Sequence, residues 1–212
     1  MRSFALCLIA ISCFFSGGMV TVAPANTPAG EPNELEQARS LFEEGRILHA
    51  RMSHEFYDSY TGETDWTEGK IWIAKDRYRV SVEHQSVLVD GEISRVYNSV
   101  QNKLVISEYH PGEDDFAPSR FFSESEEIYL VEESFQDGDS MVFVLRSDDP
   151  FEIFTEVKIR LDEELRPLEI EALDQMDNRI RTVFSEARYI DPEEDVFRLD
   201  YPDDVEIIDL RK

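Results

Sequence analysis

An Asp-Gly dipeptide between two apolar runs is the feature that most constrains how this chain folds. Asp90-Gly91 separates Val87–Val89 from Ile93–Tyr97. Because this dipeptide readily adopts the positive φ angles of a tight turn, the two runs are predicted to form a β-hairpin. Just before them, Tyr78–Val82 alternates apolar with polar residues, which is the period of a half-buried strand. Residues 66–108 are therefore predicted to form an antiparallel meander whose apolar face another element must cover.

Further strands are predicted on both sides of this meander. Thr61-Gly62-Glu63 forms a turn between Ala50–Tyr60 and Trp66–Ala74, and Asp137-Gly138 marks another hairpin. The later predicted strands are Ile128–Phe135, Met141–Arg146, Ile153–Leu161, Leu168–Leu173, Arg179–Tyr189, Val196–Leu199 and Val205–Ile208. Consecutive hairpins place successive strands side by side. The predicted fold is therefore mainly β, of the α+β class: an open antiparallel half-barrel of about eleven strands.

One amphipathic helix is predicted at the start of the domain. Asn33 lies three residues before Glu36, the spacing of a capping box. The apolar residues that follow share one face of about four helical turns. They are Leu35, Ala38, Leu41, Phe42 and Leu48. A second, short helix is predicted near residue 120, and both helices are expected to lie over the concave face of the sheet, the second as a lid.

Residues 1–25 have the features of a secretory signal peptide. A basic residue precedes the apolar run Phe4–Phe15, and Ala23-Pro24-Ala25 is similar to a signal-peptidase site. A transmembrane anchor is the alternative, since weakly apolar residues continue beyond the run. The prediction is an exported, periplasmic protein cleaved at this site, with a flexible tether at Asn26–Pro32 and one folded domain at 33–212.

Both cysteines of the chain, Cys7 and Cys13, lie in the predicted signal peptide. The mature domain is therefore expected to lack disulfides and thiolate metal sites. Acylation of Cys13 is the alternative, although Phe14 and Phe15 follow it where a polar tether would be expected. In that case the protein would be an acceptor anchored in the outer membrane.

The chain is strongly acidic, with 46 acidic and 21 basic residues and a formal net charge of -25. Such a surface repels phosphate groups, so nucleic acid is excluded as a partner and an anionic membrane surface is disfavoured. The acidic residues are spread over the whole chain, which is typical of a solvated surface.

The sequence carries no recognisable signature of catalysis. The four histidines, His49, His54, His84 and His110, have neither helical i,i+4 spacing nor a third ligand nearby. His54 falls on the apolar side of a predicted strand, where a hydrogen-bonded core histidine is the simpler interpretation. We therefore expect a non-catalytic protein with no cofactor and no metal. An enzyme acting on lipid or glycan is the last alternative.

Apolar and aromatic side chains on the curved sheet form the candidate site. The predicted cavity-lining residues are Phe56, Trp72, Tyr78, Val80, Val87, Phe121, Phe122 and Phe143. Most of them lie on predicted strands, while Phe121 and Phe122 lie in the predicted lid segment. The alternative is that all of them are ordinary core residues.

Several runs of the sequence resemble the periplasmic lipoprotein carrier (LolA) family. These runs are Ile47–Phe56, Gly69–Ile73, Val87–Glu92 with Val96–Asn98, and Phe197–Ile208. The resemblance extends from the Leu35 helix to the C-terminus. It implies an unclosed half-barrel capped by helices, acting as a soluble, monomeric carrier. Its cargo would be acylated lipoproteins, received from an inner-membrane releasing complex and delivered to an outer-membrane receptor.

The resemblance also implies a latch that holds the lid closed. In the family a basic residue after the Trp strand has this role, and the matching residue is Lys75. Asp76 stands where the family has proline, so Arg77 is the alternative latch. The lid matches Pro118–Ser123, where Arg120 interrupts an apolar run. A non-catalytic domain that senses lipids or lipoproteins on the same half-barrel is a second interpretation.

Overall fold

The computed structural model describes residues 33–110, 128–192 and 194–211. The described elements, in chain order, are α1 (Glu34–Glu43), β1 (Ile47–Tyr57), β2 (Thr64–Ile73), β3 (Tyr78–Val82), β4 (Gln85–Val89), β5 (Ile93–Asn98), β6 (Lys103–Glu108), β7 (Leu130–Asp137), β8 (Ser140–Arg146), β9 (Phe154–Asp162), β10 (Pro167–Asp174), β11 (Arg179–Ile190), a 3-10 helix (Glu194–Phe197) and β12 (Glu206–Asp209). The predicted mainly β fold with an N-terminal helix is confirmed.

The strands form one 12-stranded sheet in the order β12-β6-β5-β4-β3-β2-β1-β11-β10-β9-β8-β7. Hairpins build one half from β1 to β6 and the other from β7 to β11. The antiparallel pairing of β1 with β11 joins the halves. At one end of the order, β12 pairs with β6 in parallel. Among the strands that the structure describes, the order begins at β12 and ends at β7 without closing, so the sheet is the unclosed half-barrel predicted from the sequence.

The helix α1 begins with the predicted capping box. The Asn33 side chain accepts a hydrogen bond from the Glu36 backbone N–H at 2.9 Å, and the Glu36 carboxylate accepts one from the Asn33 N–H at 3.1 Å. The helix ends earlier than predicted, because Gly45 adopts a φ of +85° and turns the chain toward β1. Leu48 therefore lies in β1 and not on the helix. The buried residues of α1 are Leu35, Ala38, Arg39 and Phe42.

We expect Asn33→Ala to lower the free energy of unfolding by about 1 kcal/mol, because the backbone N–H of Glu36 loses its partner. Asn33→Asp keeps an acceptor oxygen in the same place and should cost only a few tenths of that amount. Urea unfolding followed by circular dichroism measures both variants. Equal losses in the two would contradict the capping contact.

Side chains alternate between the two faces of each strand. Leu35, Ala38 and Phe42 of α1 belong to one core cluster with residues from one face of the sheet, which we call the inner face. The opposite face is the outer face. The fully buried strand residues of this cluster are Leu48, Ile71, Ile73, Phe143, Leu145, Val157, Ile159 and Leu161. The main core therefore lies between α1 and the inner face.

The segment after β11 covers part of the outer face. A second core cluster forms there from Leu88, Leu104 and Leu199, with Tyr97, Ile106, Phe197 and Val205 packed against it. The sequence predicts an extended strand at Val196–Leu199, but Glu194–Phe197 is a 3-10 helix. The apolar residues of Val196–Leu199 pack onto the sheet and do not pair as one of its strands. Their apolar pattern therefore reflects this packing and wrongly suggested a strand.

Several predictions fall outside the described residues. They concern the signal peptide and tether in residues 1–32, and the lid helix with Phe121 and Phe122 in residues 111–127. Within the described residues, no helix combines the length and the apolar character needed to cross a membrane.

Candidate functional site

One row of aliphatic side chains crosses the inner face at right angles to the strands. From β1 to β12, the residues that follow one another in register are Ala50, Ile71, Val80, Val87, Val96, Val105 and Ile208. We call this set the aliphatic row. Because neighbouring strands lie about 4.8 Å apart, the row is roughly 29 Å long.

The aliphatic row is buried at its β1 end and more open toward β12. The three residues nearest β1 are 1%, 0% and 6% exposed, because they lie in or beside the core that α1 covers. From Val87 to Ile208 the residues of the row are only half-buried. The part of the row from Val87 to Ile208 is therefore an accessible apolar strip on the inner face.

Polar side chains border the part of the row that runs from Val87 to Ile208. Ser94 and Ser107 lie next to each other on one side. Gln85, Asn98 and Lys103 lie on the other side, on β4, β5 and β6. On β5 and β6 the apolar strip is thus one residue wide. Such a strip suits a flexible alkyl chain, because each methylene gains about 0.8 kcal/mol on leaving water while the borders stay hydrated.

Five predicted ligand contacts lie on the inner face. They are Phe56, Tyr78, Val80, Val87 and Phe143. Tyr78 and Phe143 are 4% and 0% exposed and belong to the main core. Val80 and Val87 belong to the aliphatic row, while Phe56 is half-buried and pairs with Ile180 near the end of β1. Their role in ligand binding stays a prediction.

Trp72 lies on the outer face, and this placement corrects the expectation that it lines the same wall as the others. It alternates with the fully buried Ile71 and Ile73, so its side chain points to the opposite side of β2. There its ring stacks on His49, with centroids 4.8 Å apart and planes inclined by 13°. The guanidinium carbon of Arg79 lies 5.0 Å from the centroid of the Trp72 ring. These contacts join β1, β2 and β3 on the outer face.

His49 makes this outer-face cluster sensitive to pH. Burial lowers the pKa of His49, the cations Arg188 and Lys70 lower it further, and Glu186 opposes them. The folded protein therefore binds this proton less readily than the unfolded chain, whose histidine pKa is about 6.5. The contribution of His49 to stability is complete above that pH and is lost as the pH falls toward the lowered pKa.

We expect an NMR titration of the His49 ring to give a pKa below the usual value. Arg188→Gln should move this pKa upward, because it removes a neighbouring positive charge. His49→Gln should remove part of the loss of stability on acidification. A His49 titration that Arg188→Gln leaves unchanged would contradict the electrostatic cause.

The two predicted latch residues lie on different faces. The Lys75 ammonium is 2.5 Å from the Glu43 carboxylate at the end of α1, and both side chains are 49% exposed. The Arg77 guanidinium carbon lies 4.5 Å from the centroid of the Phe197 ring, at the outer face. At its exposure the Lys75 pair contributes about 0–1 kcal/mol. Since residues 118–123 lie outside the described residues, the latch stays a prediction.

Sequence reasoning did not single out Val96, Val105 and Ile208. Val105 has an apolar neighbour on each side, so alternation alone does not tell which face it takes. The signal that could have found these residues is the register of the Asp90-Gly91 hairpin, which pairs Val87 with Val96.

His54 lies on the inner face near Phe56, and its Nδ1 is 2.9 Å from the Thr182 hydroxyl oxygen. This contact agrees with the interpretation of His54 as a hydrogen-bonded histidine of the sheet. Among the residues that the structure describes, no three or more His, Cys, Asp or Glu side chains are grouped to hold a metal ion.

Solved structures with a similar fold include three that match most of this chain. An uncharacterized conserved protein from Thermus thermophilus has a TM-score of 0.52 and 15% identity, over 82% of this chain and 96% of that chain. A LolA superfamily protein from Nitrosomonas europaea has a TM-score of 0.44 and 10% identity, over 78% and 96%. A putative outer membrane lipoprotein-sorting protein domain from Vibrio parahaemolyticus has 0.40 and 15%, over 78% and 95%.

No protein-family model matches the sequence, and no curated protein matches it at a significant level. This chain shares its fold with the uncharacterized conserved protein from Thermus thermophilus. At these identities the likeness concerns the fold alone.

Proposed function

We propose that this chain is an exported, non-catalytic carrier that shields the acyl chains of lipoproteins during transfer from the inner to the outer membrane. The observation that carries the proposal is the aliphatic row on the inner face. From Val87 to Ile208 this row is apolar, half-buried and bordered by polar residues. The resemblance of the runs Gly69–Ile73 and Phe197–Ile208 to the lipoprotein carrier family supports the same class of protein.

Acyl chains need such a surface to cross an aqueous compartment. Each exposed methylene costs about 0.8 kcal/mol, so a long chain stays in a membrane unless a protein covers it. Aliphatic side chains cover an alkyl chain without directional bonds, which allows cargo to leave for a receptor of higher affinity. The row reaches the sheet edge at Ile208, and a bound chain therefore has a path to the outside.

Binding of acylated ligands tests the first step. The mature protein is mixed with a fluorescent fatty-acid probe and with an acylated lipoprotein, and the same lipoprotein without its lipid is the control. We expect the probe and the acylated form to bind and the lipid-free form not to bind. Failure to bind any acylated ligand would remove the proposal.

A transfer assay separates carriage from binding alone. The protein should release newly made lipoproteins from inner-membrane vesicles and pass them to outer-membrane vesicles. Equal amounts of lipoprotein left in the inner membrane with and without the protein would contradict carriage. The mass of the mature N-terminus then decides between a free carrier cut after Ala25 and an acceptor acylated on Cys13.

A further inference from the structure

Three loops at one end of the sheet share one construction. They are residues 58–63 between β1 and β2, 147–153 between β8 and β9, and 174–178 between β10 and β11, and we call them the tip. In each loop an aspartate Oδ1 accepts a hydrogen bond from the backbone N–H two residues later, which forms an Asx turn. The pairs are Asp58 with Tyr60 at 2.8 Å, Asp149 with Phe151 at 2.9 Å, and Asp174 with Met176 at 2.7 Å.

The residue that follows each aspartate by two positions is large, apolar and exposed to solvent. Tyr60, Phe151 and Met176 are 96%, 92% and 71% exposed. Large apolar side chains that are grouped together on the surface of a folded protein mark interaction sites, because a partner removes them from water.

Hydrogen bonds fasten the three loops to one another. The Ser59 hydroxyl donates to the Met176 carbonyl oxygen at 2.6 Å. The Gln175 side-chain amide donates to the carbonyl oxygens of Pro150 and Glu152, both at 2.7 Å. The tip is therefore a preformed surface built from adjacent loops, and docking on it requires little additional ordering.

Turns at the opposite end of the sheet use the same aspartate but present a polar residue. Asp90 accepts from the Glu92 N–H at 3.3 Å in the turn between β4 and β5, and Asp162 accepts from the Glu164 N–H at 2.9 Å between β9 and β10. The Asx turn by itself does not demand an apolar residue at this position. Turn geometry therefore does not account for the apolar residues of the tip.

The charge of the tip indicates the kind of partner. Its three loops contain seven Asp and Glu residues and no Lys or Arg. An anionic membrane is repelled by such a surface, whereas a protein with an apolar recess and a basic rim complements it. We propose that the tip docks on a protein of this kind.

The tip also lies beside the inner face. Phe56 and Ile180 are close in sequence to two of its loops and pair with each other in register. A protein docked on the tip would therefore meet the inner face at this end of the strands. This docking goes beyond carriage and does not depend on it, since a sensing domain would use the same surface.

Photo-crosslinking in cells that make the full chain tests the docking. Benzoylphenylalanine replaces Tyr60 or Phe151 at the tip, and Glu92 or Glu164 in the control turns. We expect one common adduct from the tip positions and none from the control positions. The captured protein, once purified, should bind the wild-type chain. Tyr60→Ser with Phe151→Ser should weaken this binding by roughly tenfold or more, while Glu92→Ser with Glu164→Ser leaves it unchanged.

Two further measurements complete the test: binding in the presence of added NaCl, and binding to lipid vesicles. Added NaCl should weaken the binding, because it screens the basic rim from the acidic loops. No adduct, adducts from both ends alike, adducts only with a second copy of this chain, or an unchanged affinity of the Tyr60 and Phe151 double variant would each overturn the proposal. Retention of the wild type but not of this variant on phosphatidylcholine vesicles would assign the tip to lipid and overturn it as well. The double variant should melt at the wild-type temperature, because both side chains are exposed.

Discussion

Gly69→Ala should lower the free energy of unfolding by about 3 kcal/mol or prevent folding altogether. A Cβ atom on Gly69 would stand 2.3 Å from the backbone oxygen of Ser81 and 2.9 Å from Cγ1 of Val82. The first of these is a main-chain atom of the neighbouring strand β3, so no rotamer change relieves the contact. β2 and β3 would have to separate at this point, which would disturb their hydrogen bonds.

Urea unfolding measures this effect against two controls. Thr67→Ala changes an exposed residue on the same strand and should stay within about 0.5 kcal/mol of wild type. Gly62 has a φ of +74° and no neighbour within 4 Å of an added Cβ. Gly62→Ala should therefore cost only about 1 kcal/mol, for its conformation alone. If Gly69→Ala lowered the free energy of unfolding no more than Gly62→Ala does, β3 would have to move aside without cost.

Replacing Val87, Val96 and Val105 together by Thr should weaken binding of a fatty-acid probe by roughly a hundredfold. Each change keeps the shape of the side chain but puts a hydroxyl on the aliphatic row. An unpaired hydroxyl against an alkyl chain costs about 1 kcal/mol. Three of them cost about 3 kcal/mol, and about 1.4 kcal/mol is a factor of ten in the dissociation constant.

Two valines of the outer face provide the matched control. Val144 and Val183 are half-buried like the three row residues, and their register places them away from the inner face. Val144→Thr with Val183→Thr should leave probe binding at the wild-type level. If the triple row variant binds as wild type does, the acyl chain lies elsewhere, for example near Phe56. Carriage itself would survive that result, whereas a wild-type protein that binds no probe would remove both.

Local sequence signals account for much of the fold. The Asp90-Gly91 turn and the alternation of Tyr78–Val82 predict strands that the structure contains, because turn chemistry and side-chain period are properties of neighbouring residues. The capping box at Asn33 and Glu36 is likewise local and is present. Within each half of the sheet the order of strands follows from short hairpins, which leave few alternatives for pairing, whereas the pairings of β1 with β11 and of β12 with β6 are non-local.

The candidate site is harder to predict, because it depends on which face each residue takes. Aromatic character suggested Trp72 as a ligand contact. Side chains alternate along β2, however, and Trp72 lies between the inward-pointing Ile71 and Ile73, so it takes the outer face. Val96 and Val105 join the aliphatic row through the register of three strands. Ile208 joins it through a parallel pairing with a strand far away in the chain, and no local pattern reports such a contact.

The parallel pairing of Glu206 with Lys103 has a consequence for the order of assembly. When the chain emerges N-terminus first, the strands from β7 to β11 emerge before β12, and only then can β12 pair with the free edge of β6. Until then the backbone donors and acceptors along that margin are satisfied by water, and Leu88 and Leu104 lack their cover from Leu199. Completion of the sheet at β6 is thus coupled to the arrival of β12, a non-local and therefore slow event.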